Sequence, residues 1–299
     1  MEDVRVSTEQ WGGLEESVVL SNGVVEVVAT TRVGPRILSF SLVDGENVLF
    51  VDEETIRDYD DSEWNVFGGH RLWHAPEDHE RTYVPDNDPV DYEITEAGVH
   101  LVQPVEAETG IRKEISVELV PGEPQAIVTH SLTNEGSWPV SLAPWGVTVL
   151  SGGGRCVVPF ERGPESPTPN RSVALWSDAS LADDRLEFLD DYVAMDQSDD
   201  GDPTKFGVSA TDGWAAYVRD GTAFCKSFPL AEHAAYPDRG SPVELYTDPN
   251  IFELESLAGL TELEPGETAT HTETWQLFDG VDVPETDADV ASAPYPGDT

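Results

Sequence analysis

The chain has 299 residues, room for one large domain or two modest ones, and its 38% hydrophobic content with 8 Trp, 8 Tyr and 10 Phe supports a full core and excludes disorder. It carries 59 Asp and Glu against 16 Lys and Arg, a net charge of −43, and Lys113, Lys205 and Lys226 are its only lysines. No basic patch is available for phosphate contacts, so nucleic acid is excluded as a partner. The acids are spread along the chain rather than gathered in one tail. That pattern predicts a halophilic protein, because in molar salt the Debye length falls to about 3 Å and self-repulsion is screened. The melting temperature should therefore rise from dilute buffer to molar KCl. A melt that is unchanged, or higher, on dilution would count against this reading.

The opening residues lack a charged start followed by an apolar run, and no twin-arginine pair is present. No apolar run approaches the ~18 residues needed to span a bilayer. The expected setting is the cytoplasm, with no membrane partner. Cys156 and Cys225 allow a disulfide, but a chain with a full core does not require one.

In chain order, residues 18–20 and 24–28 alternate as a strand pair around the turn Ser21-Asn22-Gly23. Strands follow at 36–42 and 47–50. The polar run 52–63 reads as one acidic helical turn or a loop, and the segment from Gly68 to Glu77 reads as a loop. Further strands are expected at 91–95, 100–104, 111–119, 125–133, 140–150 and 156–160. A short helix is expected over 182–189. Strands resume at 206–210, 214–219, 224–228, 243–247, 251–257 and 270–278, and 280–299 reads as an acidic Pro/Ala tail. So many short strands with Gly/Pro turns predict an all-β fold, one large antiparallel sandwich over 1–279 with very little helix. Two smaller β domains would need a linker near the middle, and none is evident.

The segment Gly68-Gly69-His70-Arg71-Leu72-Trp73-His74-Ala75-Pro76-Glu77 combines tight-turning glycines with imidazoles, a guanidinium, an indole and a carboxylate. Sugar hydroxyls and ring oxygens are handled by such groups. The bland alternative is a turn with Trp73 in the core and its charges in water.

Several motifs carry a family resemblance over about residues 15 to 278. Asn22-Gly23-Val24-Val25-Glu26-Val27-Val28 followed by Gly34-Pro35-Arg36-Ile37-Leu38-Ser39-Phe40 resembles the first hairpin of galactose mutarotase-like proteins, the aldose 1-epimerase superfamily. The Gly-Gly segment resembles a Gly-Gly-x-Pro-x-x-Trp-Pro turn of its hexose-6-phosphate branch. Thr129 to Asn134 resembles a family strand end. Phe252-Glu253-Leu254-Glu255 with Leu263-Glu264-Pro265-Gly266-Glu267 resembles its C-terminal Glu strand and turn. With Pro169-Asn170-Arg171 and Tyr236-Pro237-Asp238, the chain looks like an uncharacterised branch. The resemblance implies a super-sandwich with a concave sugar cleft and a small-molecule carbohydrate as partner.

Mutarotation needs a base for the anomeric hydroxyl and an acid for the ring oxygen, and neither a metal nor a cofactor. The resemblance places the base at Glu255, and strand alternation puts Glu253 and Glu255 on one face with Phe252 and Leu254 on the other. Where the family carries its acid histidine, this chain has Leu142-Ala143-Pro144-Trp145-Gly146-Val147. The replacements considered are His70 first, then His74, then His233. The expected site therefore pairs Glu255 with His70 across a cleft. Trp73, Trp145, His74, Arg171, Lys226 and Glu244 would bind substrate, and Arg71 would clamp a phosphate or carboxylate. Two readings stay open: an anomer-interconverting enzyme, or a sugar-binding or sensing protein that lost the acid. A lyase or hydrolase module fits less well, because there is no room for a helical partner domain. The expected assembly is a monomer or a small homo-oligomer.

Overall fold

The computed structural model describes residues 3–59, 63–163, 167–209, 212–231 and 233–296. Two antiparallel sheets dominate it. The first contains Arg5–Trp11, Leu14–Ser21, Val25–Thr30, Arg36–Leu42 and His70–Ala75 in spatial order. It continues through Val140–Ser151, Ile251–Leu257, Val243–Thr247, Thr204–Val208 and Val173–Leu175, and Thr261–Leu263 also pairs with Val140–Ser151. The second runs Leu186–Phe188, Tyr192–Asp196, Arg155–Pro159, Trp214–Arg219 and Thr222–Ser227, then Thr268–Asp279, Gln125–Asn134, Ile111–Leu119, Gly98–Val102 and Asp91–Ile94. This is the all-β sandwich expected from the period-two pattern.

Alternation explains how the sheets stack. Ile111, Ile115, Val117 and Leu119 on one strand, and Ala126, Val128 and Leu132 on the next, are buried in the main core. Phe252 and Leu254 join that core from the first sheet. At roughly 25 cal/mol per Å² of apolar surface, this burial is the main force holding the sheets together.

Several local expectations change. Residues 182–189 hold no helix; turns lead into the strand Leu186–Phe188. Residues 47–50 form no strand: Leu49 makes an isolated bridge with Leu150, and the next residue beyond them, Val51, bridges Gly68. The acidic run does form a helix, Glu53–Asp58, capped by the Asp52 carboxylate on the N–H groups of Glu54 and Thr55. Residues 60–62 of that run lie outside the described residues. Within 280–299 a helix, Asp287–Ser292, is capped by Thr286, and its Val290 is 2% exposed, packed with Trp214 and Cys225. Cys156 and Cys225 are buried free thiols, raised above their ordinary range by desolvation. Among the described residues, no helix is long and apolar enough to cross a membrane.

The largest local difference concerns the Gly-Gly segment. Gly68 and Gly69 take φ of 77° and 71°, and a Cβ on either would lie 2.3 Å from a backbone oxygen, of Phe50 and Ile37 respectively. Only glycine fits there. The pair turns the chain into a buried central strand, His70–Ala75, which lies between Arg36–Leu42 and Val140–Ser151. Its side chains must therefore divide between the two faces of the sheet.

Candidate functional site

On the face turned away from the second sheet, Arg71, Trp73, Trp145, Val147, Glu253 and Glu255 line up by register. Arg71 is opposite Val147, Trp73 opposite Trp145, and Val147 opposite Glu255. Glu244 pairs with Glu255, Tyr246 with Glu253, and Lys205 with Tyr246, so these join the same face. Above them opens a cavity of about 410 Å³. Trp64, Trp73, Trp176, Tyr83 and Tyr246 form aromatic walls, and Lys205, Glu253, Asp248, Asp178 and Glu77 supply charge. Trp73 lies 5.1 Å from Trp145, 5.3 Å from Tyr83 and 6.0 Å from Trp64, centroid to centroid. The Tyr83 hydroxyl donates to Glu77 at 2.5 Å.

Lys205 is the centre of the floor. Its Nζ is 2.9 Å from Glu255 Oε2 and 2.8 Å from Glu244 Oε2, and lies over the rings of Trp145 at 4.6 Å and Trp176 at 5.0 Å. These two carboxylates raise its ammonium above the ordinary lysine range against the opposing pull of burial. Trp145 Nε1 donates to the same Glu255 oxygen at 2.7 Å. Glu244 is fully buried, and desolvation pushes its carboxyl well up despite Lys205. Glu253 is also pushed up, to about 8, by burial and by Glu255.

The pairing of His70 with Glu255 is not found. His70 projects from the opposite face, into the space between the sheets. Its Nε2 meets His130 Nε2 at 2.6 Å, its Nδ1 meets Thr148 Oγ1 at 2.9 Å, and Trp275 packs on its ring at 4.8 Å. The His271 carbonyl can only accept, so the 3.0 Å contact puts a proton on His130 Nδ1. His130 Nε2 then accepts from His70, and His70 Nδ1 accepts from Thr148. Strand parity is the reason: His70 and Arg71 are neighbours, so they face opposite ways.

Lys226 lies on the same inner side. It is 3.1 Å from Glu273 Oε1 and donates to the carbonyls of Leu254 at 3.0 Å and Gly146 at 3.3 Å, fastening one sheet to the other. His271, Ser256 and Trp275 complete the cluster. Ser256 Oγ and Trp275 Nε1 both donate to Glu273. His70, His130 and Glu273 are the one described trio whose ligand atoms lie within 4.8 Å of one another. The 2.6 Å between the two imidazole nitrogens suits an N–H···N bond; two ligands of one tetrahedral zinc would lie roughly 3.3 Å apart. The Lys226 ammonium already balances the carboxylate.

The other expected residues divide as follows. Trp73 lines the cavity; Trp145, Glu244 and Glu255 lie directly beneath it. Arg71 is not available as an anion clamp: it is bound to Asp86 at 2.9 Å and lies over Trp64 and Trp73. Asp86 also holds Arg36 at 2.7 Å. His74 is on the inner face, 1% exposed, with Glu106 3.7 Å away. Arg171 is spent on the Phe160 carbonyl and ring, outside the cavity lining. His233 stands in a connecting segment at φ 64° and is also absent from that lining. Lys205, Trp64 and Trp176 escaped the sequence reading. The rarity of lysine that singled out Lys226 applied equally to Lys205 and could have found it.

The sequence matches no protein-family model and no curated protein. Solved structures do match. A TPR-domain containing protein from Parabacteroides distasonis superposes with TM-score 0.62 at 15% identity, over 91% of this chain and 49% of that one. The chain thus spans about half of that protein. A provisionally named aldose 1-epimerase from Escherichia coli gives TM-score 0.58 at 13% identity, covering 92% and 99%. A galactose mutarotase-like protein from Lactobacillus casei gives 0.55 at 12%, covering 88% and 100%. The likeness extends over nearly the whole of this chain, and the chain has the galactose mutarotase-like fold.

Proposed function

We propose that the chain binds an aldose in the aromatic cavity and interconverts its anomers by ring opening. The observation that carries this is the cavity itself: indole and phenol walls over a floor of Lys205 and Glu253, with Glu255 beneath. Indole faces pack on the C–H faces of a sugar while carboxylates and the ammonium take its hydroxyls. Glu255 is the residue that the family resemblance assigns as base. Both of its donors share Oε2, which leaves Oε1 without one among the described residues. Arg71 is committed to Asp86 and Lys205 to two glutamates, so this reading favours an unphosphorylated sugar.

The test uses glucose and galactose in molar KCl. Each should quench tryptophan emission on binding, and NMR exchange spectroscopy should show anomer exchange faster than in buffer. Trp73→Ala should weaken binding by about tenfold, roughly 1.4 kcal/mol, with the fold intact. A second reading is favoured by one observation: no histidine is among the cavity-lining residues. Binding without accelerated exchange would move the protein to that class, a sugar sensor or carrier.

A further inference from the structure

Glu253 and Glu255 stand one residue apart on the strand Ile251–Leu257, so their side chains leave the same face from Cα atoms about 7 Å apart. Their surroundings differ. Glu255 is 1% exposed and holds the Lys205 ammonium and the Trp145 N–H. Glu253 is only part-buried and forms part of the cavity wall, and its side chain makes no hydrogen bond or ion pair among the described residues. Its register partners are Val149, which supplies no polar atom from its side chain, and Tyr246.

Charge counting separates the two further. Glu244 and Glu255 hold the Lys205 ammonium between them, and Glu253 is a third carboxyl within its field. Carboxylates that share a shielded site with one cation cannot all ionise; Glu244 is pushed up as well but is fully buried beneath the floor, so Glu253 is the raised carboxyl that lines the cavity. From the strand His70–Ala75, Arg71 pulls Glu253 toward ionisation, as Lys205 does; Glu255 and Asp248 oppose them. Asp178, Glu77 and Tyr83 face the same cavity from its loops. Desolvation is the largest influence, and with Glu255 and Asp248 it leaves Glu253 raised to about 8, so it carries a proton at neutral pH beside a partner engaged with a cation. A carboxyl that keeps its proton, next to one held by a cation and an indole N–H, gives the site an acid beside a candidate base.

Resting on the mutarotase reading, we propose that Glu253 is the general acid of this site, donating to the ring oxygen of the aldose while Glu255 accepts the proton of the anomeric hydroxyl. The two oxygens share the anomeric carbon, so acid and base must converge on neighbouring atoms, as two side chains from one strand face can. The ring C–O bond breaks with its electron pair going to the ring oxygen, which takes the Glu253 proton. The O–H electrons become the second bond of the aldehyde, and the proton passes to Glu255. After rotation about the next C–C bond, the new hydroxyl returns its proton to Glu253 as it attacks the aldehyde carbon, Glu255 gives its proton to the aldehyde oxygen, and the ring closes on the other face. No oxidant, reductant or cofactor enters, and the acid histidine of the family is not needed.

The experiment compares wild type with Glu253→Gln and Glu253→Asp in molar KCl. Glucose and galactose binding is read by tryptophan quenching, anomer exchange by NMR across pH 5 to 10, and the carboxyl titration by carbon-13 NMR of labelled apoprotein. Glu253→Gln keeps the shape and loses the proton. Exchange should fall by about 10² or more, with binding changed only a few-fold. Glu253→Asp should restore part of the exchange. Wild-type exchange should decline as pH rises through about 8, together with a carboxyl signal that Glu253→Gln removes. Exchange that survives Glu253→Gln at the wild-type rate, or a Glu253 signal that titrates in the ordinary carboxylate range, overturns this inference alone. Wild type that binds sugar without exchanging it overturns the parent reading and this one with it.

Discussion

Acidifying the protein from pH 7 to 5 in molar KCl should lower its stability, by about 2 kcal/mol through His271 alone and further through His70 and His130. The cause is the inner cluster. His70, His130 and His271 are 0%, 0% and 4% exposed, and desolvation holds each below the ordinary imidazole range, His271 at about 3. The sign follows from proton counting. The unfolded chain takes protons on these rings below about pH 6.5, and the folded chain takes them only at lower pH. Their contribution is complete above that pH; below it the His271 part falls by about 1.4 kcal/mol per pH unit until about pH 3, and His70 and His130 act in the same direction. Glu273, lowered chiefly by Lys226 and then by His130 against its own burial, acts in the same direction, but only below the ordinary glutamate range of about 4. High salt matters to the experiment because it screens repulsion among the surface acids, a term that acid would otherwise relieve. Urea melts followed by tryptophan emission should give a midpoint that falls steadily from pH 6.5 to 5. A midpoint that does not move would show that the rings are wet or already charged.

Lys226→Met should cost about 3–5 kcal/mol, because it strands Glu273 as a buried charge without its cation. It also removes donors from the Leu254 and Gly146 carbonyls, contacts that join the sheets. Glu273→Gln should cost less, since Lys226 is already pulled below its ordinary value by burial and can shed a proton. The double variant should be more stable than the sum of the single losses predicts, by about 1 kcal/mol or more. Urea melts of the four proteins in molar KCl provide the check. Additive losses would mean that the pair contributes packing rather than charge.

Of the residues behind these two effects, His70 and Lys226 were marked by the sequence without being placed, and His271 and Glu273 carried no mark at all. Alternation correctly put Phe252 and Leu254 in the core and Glu253 and Glu255 on the far face, because a strand's period of two is a local property. The same rule would have separated His70 from Arg71, had 70–75 been read as a strand. The glycine pair instead suggested a loop, since the need for positive φ is visible in sequence while the length of the turn is not. Tertiary pairing between Gly69 and Phe50 made that turn short. Arg71 reads as an anion clamp until Asp86 is brought to it across 15 residues. His130, in a segment quoted only for its strand pattern, became a partner of His70 because two sheets stack, and sheet stacking leaves no spacing signature. The helix Asp287–Ser292 was hidden by a composition that resembles a solvated tail.

The three lysines share one circumstance. Lys113 is 1% exposed and 2.5 Å from Glu106, Lys226 is 0% exposed beside Glu273, and Lys205 is 9% exposed between Glu244 and Glu255. Every lysine amine of the folded chain is thus shielded and matched to a carboxylate. Lysine-directed chemistry consequently has almost nothing to grip on the native molecule. Acylating reagents, aldehyde fixatives and ester-activated dyes would reach these side chains chiefly through opened molecules, and Lys205 sits where a bound sugar would cover it. A coupling reaction that is routine for most proteins becomes, for this one, a gauge of how often the sandwich comes apart.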